Sequence, residues 1–196
     1  CTDALFFSLL VAGIKPGDEV LVTDFSFVAS ASCILRLRAK PVFVDIDEHY
    51  LMDLDKAQLK ISSKTKGIIF VHLYGQMGNP DKIEDFAKTN NLILIEDSAQ
   101  AFGASYMSIV AGSVGQLSCL SFDPTKVIGA PGSGGMVLTD DENMAQEIEQ
   151  LRYHGKNKNG EFVSLGFNSQ MPSLTAAILE YKVEQNEKWL FKRRGI

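Results

Sequence analysis

The sequence predicts an α/β fold with a mostly parallel central sheet flanked by helices. Two observations carry that prediction. Short segments of strand length, such as GIIFVHL (67–73) and LILI (92–95), are apolar without alternation, so they belong in a sheet covered on both faces. Amphipathic segments of helix length alternate with them, which is the pattern of crossovers between parallel strands. The 196 residues, 45% hydrophobic and 22% charged, suffice to bury such a core.

The elements follow from local signals in order. Thr2 and Asp3 offer caps for a first helix through Ala12, closed by Gly13. Pro16-Gly17 marks a turn before a strand over Glu19–Thr23. A helix over 28–38, a strand over 41–45 and a helix over 54–60 come next. The strand over 67–73, a helix over 81–89 and the strand over 92–95 follow. Strands over 117–122 and 136–139 precede a helix over 142–152. A long polar-faced helix starts near Pro172 and runs towards Arg194, its charges forming a solvated face. The chain shows no internal repeat or low-complexity segment. It starts without Met, straight into a helix, and the last helix ends in KRRGI (192–196) with no stop signal. The expectation is one domain over 1–196, cut short at both ends, whose helix over 172–196 leads into something further.

Composition excludes several functions. With 19 Lys and Arg against 24 Asp and Glu, the net charge of -5 gives no electrostatic case for nucleic acid. Three cysteines, Cys1, Cys33 and Cys119, are odd in number and far apart, which fits a reducing cytosol. No basic segment precedes an apolar one as in a signal peptide, and the apolar run over 4–14 is too short for a bilayer. A soluble, cytoplasmic protein without membrane contacts is expected. The histidines His49, His72 and His154 are scattered without metal-ligand spacing, so no metal site is expected. His72 is expected at a strand end near the site, in a satisfied polar role. Neither a GxSxG elbow nor a GxxxxGK[ST] loop occurs.

Three features point to chemistry. Between Ser98 and Thr139 only Asp123 and Lys126 are charged. This window reads either as buried strands joined by tight turns or as the surroundings of a reactive lysine. Burial disfavours the ammonium form, and a lysine of lowered pKa is a nucleophile suited to Schiff bases. The glycines of GAPGSGG (129–135) let backbone approach a ligand. Second, the apolar strand in LILIEDSAQ (92–100) ends on carboxylates, where ligands bind in open α/β sheets. Asp97 there is either a cap for the following turn or half of a pair with Lys126. That pair is what pyridoxal phosphate needs: an amine for its aldehyde and an acid for its pyridinium nitrogen. Third, Cys1-Thr2-Asp3 heads the first helix, where free N–H groups cap the turn or receive a phosphate.

The ordered stretches CTDAL, GDEVLVTDFSFVAS, KPVFVDID, VHLYGQ, IEDSAQAFGA, SFDPTK, GSGGMVLTDD, LRYHGK and LGFNSQM resemble the sugar-nucleotide aminotransferases, over nearly the whole chain. These are pyridoxal-phosphate enzymes with the aspartate aminotransferase type of fold. The resemblance implies that the chain is the large cofactor-binding domain, with its last helix leading to a smaller C-terminal domain. It implies that Lys126 is the Schiff-base lysine and the acid/base, and that Asp97 pairs with the pyridinium nitrogen. Gln100 would lie by the ring and its 3′-oxygen, and Phe27 would stack on the ring. Thr2, the Cys1 backbone and the Ser121 hydroxyl would hold the phosphate. Asn168 matches an asparagine that reaches the phosphate of a neighbouring subunit, which implies a homodimer with shared sites. Gln170 stands where the family usually has arginine, Val127 where asparagine is common, and Asp24 where proline is frequent.

The activity so implied moves an amino group from L-glutamate to a keto group on a nucleotide-linked sugar, in deoxyamino-sugar biosynthesis for cell-surface polysaccharides or glycosides. Two alternatives stand beside it. One is a pyridoxal-phosphate dehydratase or lyase on the same scaffold, although a related dehydrating branch carries histidine where this chain has Lys126. The other is a catalytically degenerate regulatory relative.

Overall fold

The first helix, α1 (Thr2–Val11), is apolar almost all round, and a helix of that kind needs cover on every side. In the computed structural model, which describes residues 1–195, Leu5, Phe6, Phe7 and Leu9 are all buried. The helix closes as the sequence predicts. Gly13 takes φ +78°, Gly13 N donates to Leu10 O and Ile14 N to Leu9 O, both at 3.1 Å, which is a Schellman closure. Its start differs from expectation. Cys1 is the N-cap and no side chain caps the helix. Asp3 turns instead to Arg36 at 2.9 Å and to the Ser169 hydroxyl at 2.7 Å, because those outside donors compete successfully for its carboxylate.

Strand β1 (Glu19–Thr23), helix α2 (Ala29–Arg36), strand β2 (Lys40–Val44) and helix α3 (Leu54–Gln58) follow. Strand β3 (Thr65–Val71) stops short of the expected end, because Leu73–Gly75 forms a 3-10 turn with Tyr74 at φ +56°. Helix α4 (Pro80–Thr89) starts on an Asn79 cap with proline in its first turn, and β4 (Ile93–Asp97) carries both acids of the IED segment. A hairpin of β5 (Ser105–Tyr106) and β6 (Ile109–Val110) follows, too short to show any alternation in the sequence. Strands β7 (Leu117–Ser121) and β8 (Gly135–Leu138), helix α5 (Glu142–Leu151) on an Asp141 cap, and helix α6 (Ser173–Arg194) complete the order. The end of the KRRGI segment, Ile196, lies outside the described residues.

The main sheet runs β2-β1-β3-β4-β7-β8, parallel except for β8 against β7. The fold is therefore the predicted α/β architecture. One face packs Val22, Val71, Ile95 and Cys119 against α1 and α2, with Ile148 and Leu151 of α5 beside them. The other packs Leu21, Ile68, Phe70 and Leu94 against Ala57 of α3 and Ile83 and Ala87 of α4. A third cluster seats Leu179 of α6 on Leu120, Phe122, Ile128 and Ala130. Among the described residues no helix is long and apolar enough to cross a membrane.

Candidate active site

In a parallel sheet, strand ends on one edge are open to ligands. Here Asp97 ends β4, in register with Val71 of β3 and Cys119 of β7, so it stands between its neighbours rather than at the sheet's margin. The residue is 4% exposed. Oδ2 accepts from Ser30 Oγ at 2.8 Å and Oδ1 from Ala99 N at 3.2 Å. The turn-cap reading of Asp97 is thus correct, but it accounts for one lone pair on one oxygen. Each oxygen keeps further capacity. Burial pushes the Asp97 carboxyl above its ordinary value, against the opposing effect of the Ser30 and Ala99 hydrogen bonds and the more distant positive charge of Lys126.

The segment after β7 presents Lys126. Asp123 Oδ1 accepts from Thr125 N at 3.0 Å and from the Thr125 hydroxyl at 2.6 Å, and Lys126 N donates to Asp123 O at 2.9 Å. These bonds make a tight turn with the lysine at its exit. Gly129 closes it, since a Cβ there would stand 2.5 Å from Pro124 O. Thr175 of α6 and the Lys182 ammonium reach the carbonyls of Pro131 and Gly129, so the last helix braces this loop. The Asp123 carboxyl is held below its usual value by the Thr125 hydroxyl and N–H. Lys126 is half-buried, more open than the sequence suggests, because its turn lies at the rim. Among the described residues its ammonium has no hydrogen-bond or ion-pair partner.

These parts enclose a cavity of about 360 Å³, within the range of small-molecule sites. Cys1, Thr2, Phe27, Asp97, Gln100, Ser121 and Lys126 all line it, so seven of the eight candidate residues meet in one place. Asn168 does not. It is exposed on the segment after α5, bridged to Tyr153, with its Oδ1 accepting from Gln170 Nε2 at 3.5 Å. Ser26 and Ser30 also line the cavity, without a sequence signal of their own, and Asp123, Thr125, Ser133 and Gly134 line it from the charge-poor window that the sequence singles out. Ser30 gives no local signal, since its partner lies 67 residues away. The glycines of 129–135 divide in role. Gly134 borders the cavity, whereas Gly129 and Gly135 let protein backbone approach protein backbone.

The donor set suits an aromatic aldehyde carrying a phosphate. The uncapped N-terminus of α1 opens on the cavity beside the Thr2 and Ser121 hydroxyls, an arrangement that receives an anion. Phe27, 67% exposed, offers an open ring at the wall. A free amine and a buried acid with spare lone pairs line the same space. The two buried thiols contribute no nucleophile: burial and the Asp97 charge push Cys33 up to about 12, and burial pushes Cys119 up as well.

The fold and this cavity place the chain among the pyridoxal-phosphate aminotransferase folds. It belongs to the DegT/DnrJ/EryC1/StrS aminotransferase family, which matches residues 1–196. Among its relatives, a protein of Geobacillus stearothermophilus called pleiotropic regulatory protein is 44% identical over 195 residues, 98% of this chain and 52% of that one. A UDP-2-acetamido-2-deoxy-3-oxo-D-glucuronate aminotransferase of Pseudomonas aeruginosa is 39% identical, over 100% of this chain and 55% of its own length. A crystal structure of S. venezuelae DesV superposes with a TM-score of 0.95 at 32% identity, covering 99% of this chain and 53% of that one. Other solved relatives hold pyridoxal phosphate or pyridoxamine phosphate. The chain spans about half the length of the curated relatives it matches.

Proposed function

We propose that this chain is the cofactor-binding part of a pyridoxal-phosphate aminotransferase. It moves an amino group from L-glutamate to a keto group on a nucleotide-linked sugar, in deoxyamino-sugar biosynthesis, as a soluble cytoplasmic enzyme. The observation that carries this reading is the single cavity lined by Lys126, Asp97 and the uncapped start of α1. Family membership and the names of sugar-nucleotide relatives support the substrate class.

When bound, the cofactor supplies an electron sink for bond breaking at the amino-bearing carbon. Lys126 would hold the cofactor through its amine and would carry a proton between the substrate Cα and the cofactor C4′. Asp97 keeps a proton on the ring nitrogen, and its buried setting means that proton is not shared with water. Phe27 covers one ring face. The α1 N–H groups, Thr2 and Ser121 grip the phosphate. Asn168 reaches the phosphate of a second copy, so the working unit is a homodimer with shared sites; its exposure away from its own cavity supports this.

The test is to supply keto-sugar nucleotides and L-glutamate to the protein and follow amino-sugar formation by mass spectrometry. An amine product that disappears in Lys126→Ala supports the reading. A deoxy-keto product without nitrogen would assign the dehydratase alternative instead. The name of the Geobacillus relative favours a second reading, a regulatory protein on this scaffold. Binding of the cofactor without amino transfer to any keto-sugar nucleotide would favour it.

A further inference from the structure

Glu96 is the other acid at the end of β4, and the chemistry above does not use it. Strand alternation puts its side chain on the sheet face opposite Asp97, where it is 1% exposed. Four donors converge on it. Oε1 accepts from the Ser98 hydroxyl at 2.8 Å, Gly112 N at 2.6 Å and His72 Nε2 at 2.9 Å, and Oε2 accepts from Val114 N at 2.9 Å. His72 is equally buried, and its Nδ1 accepts from Gly78 N at 3.3 Å. That bond assigns the ring proton to Nε2, facing Glu96. Burial opposes the charge on Glu96, yet the His72 bond and the two backbone N–H groups hold its carboxyl below the ordinary value. A buried anion so fully paired is a rigid anchor.

Two short routes lead from this anchor to Gln100. Ser98 lies two residues before it. His72, whose N–H also donates to Asp97 O at 3.1 Å, leads into the turn Leu73–Gly75. There Tyr74, at φ +56°, donates its N–H to Gln100 Oε1 at 2.9 Å. The turn lies close on Gln100, since a Cβ on Gly75 would stand 3.1 Å from Gln100 O. With Oε1 engaged, the Gln100 amide has its NH2 as the end left for the cavity. A tyrosine in the left-handed region is strained and persists only where its surroundings fix it.

We propose that Glu96 and His72 are positioning residues that hold the 72–75 turn so that Tyr74 fixes the polarity of the Gln100 amide. Its consequence for catalysis rests on the reading that the cavity takes pyridoxal phosphate with Gln100 beside the 3′-oxygen.

Amide hydrogen exchange on the cofactor-free protein reads the lock without any ligand. In His72→Phe, exchange at Tyr74 is expected to rise on the order of tenfold while β1 amides keep their protection. His72→Gln keeps a donor for Glu96 and an acceptor for Gly78 N, and is expected to retain the wild-type pattern. Should His72→Phe not fold, Ser98→Ala removes one donor and is expected to give the same signature at smaller amplitude. A second arm binds pyridoxal phosphate to His72→Phe, Gln100→Ala and the double variant and follows absorbance against pH. The pH profile is expected to shift in each single variant, and the double variant to match Gln100→Ala alone. Unchanged Tyr74 exchange in both His72→Phe and Ser98→Ala, or additive shifts in the double variant, would overturn the proposal. If the wild-type protein takes up no pyridoxal phosphate, the cofactor reading fails, and the exchange arm alone decides the lock.

Discussion

Ser30 Oγ donates to Asp97 Oδ2 at 2.8 Å, tying the first turn of α2 to the end of β4 beside the cavity. This bond favours the ionised carboxylate that burial disfavours. Ser30→Ala is expected to destabilise the protein by about 1–3 kcal/mol near neutral pH, the range for removing a donor from a buried acid. The loss should shrink as pH falls well below the unfolded value of about 3.9, where Asp97 is protonated in folded and unfolded chains alike. Denaturant unfolding at the two pH values measures it.

Asp97 itself burdens the cofactor-free fold. Burial raises its pKa above the unfolded value of about 3.9. Between those two values the folded chain holds a proton that the unfolded chain has released, so stability falls as pH rises through that window. Asp97→Asn removes the effect, and the Ser26–Ser30 hydroxyl pair, 2.8 Å apart, can reverse direction to suit the amide. The expected outcome is a melting midpoint raised by about 2–4 °C at pH 7 without cofactor. Cofactor-dependent activity is expected to fall at the same time. Calorimetry on the cofactor-free protein checks the first part.

Gly135 stands where β8 passes the start of α1. A Cβ there would lie 2.7 Å from Cys1 N and 2.8 Å from Cys1 Cα, both backbone atoms that cannot swing away. Gly135→Ala is therefore expected to cost about 1–3 kcal/mol and to displace the helix N-terminus. Affinity for pyridoxal phosphate should fall with it. Thermal unfolding and cofactor titration on the same variant measure the two effects.

Asp3 links α1, α2 and the segment bearing Asn168. Partial burial works against its charge, but hydrogen bonds from Arg36 and Ser169 hold its pKa below the ordinary value. Arg36 also lies over the Phe6 ring at 4.0 Å. A lowered pKa contributes stability above the unfolded value that is lost as pH falls through the folded one. Both partners are substantially exposed, so solvent screening limits the ion pair to about 0.2–1 kcal/mol. Asp3→Ala should lose the ion-pair part at pH 7 and progressively less as pH falls through the folded pKa, in paired unfolding curves.

The sheet was legible because its central strands are apolar on both faces, and β1 agrees residue for residue with Glu19–Thr23. That Lys126 and Asp97 share one cavity was legible for a different reason: one is a lone cation in a charge-poor stretch, the other an acid at the end of a buried strand. The remainder depends on contacts distant in sequence. Asp3 reads as a cap because nothing local reveals Arg36 or Ser169. Glu96 carries no role in the sequence, since its four donors come from three separate segments. His72 was placed correctly at a strand end with its polar groups satisfied, but its partner was not legible. The β5–β6 hairpin has strands of two residues, too short for any periodicity.

The central claim is that the Lys126 amine is the group that takes the cofactor. Incubation of the protein with pyridoxal phosphate, borohydride reduction and peptide mapping by mass spectrometry tests it most directly. The expected result is one dominant pyridoxyl adduct on Lys126, absent in Lys126→Ala and weakened in Asp97→Ala. Labelling spread over surface lysines, or none at Lys126 in the folded protein, would contradict the account.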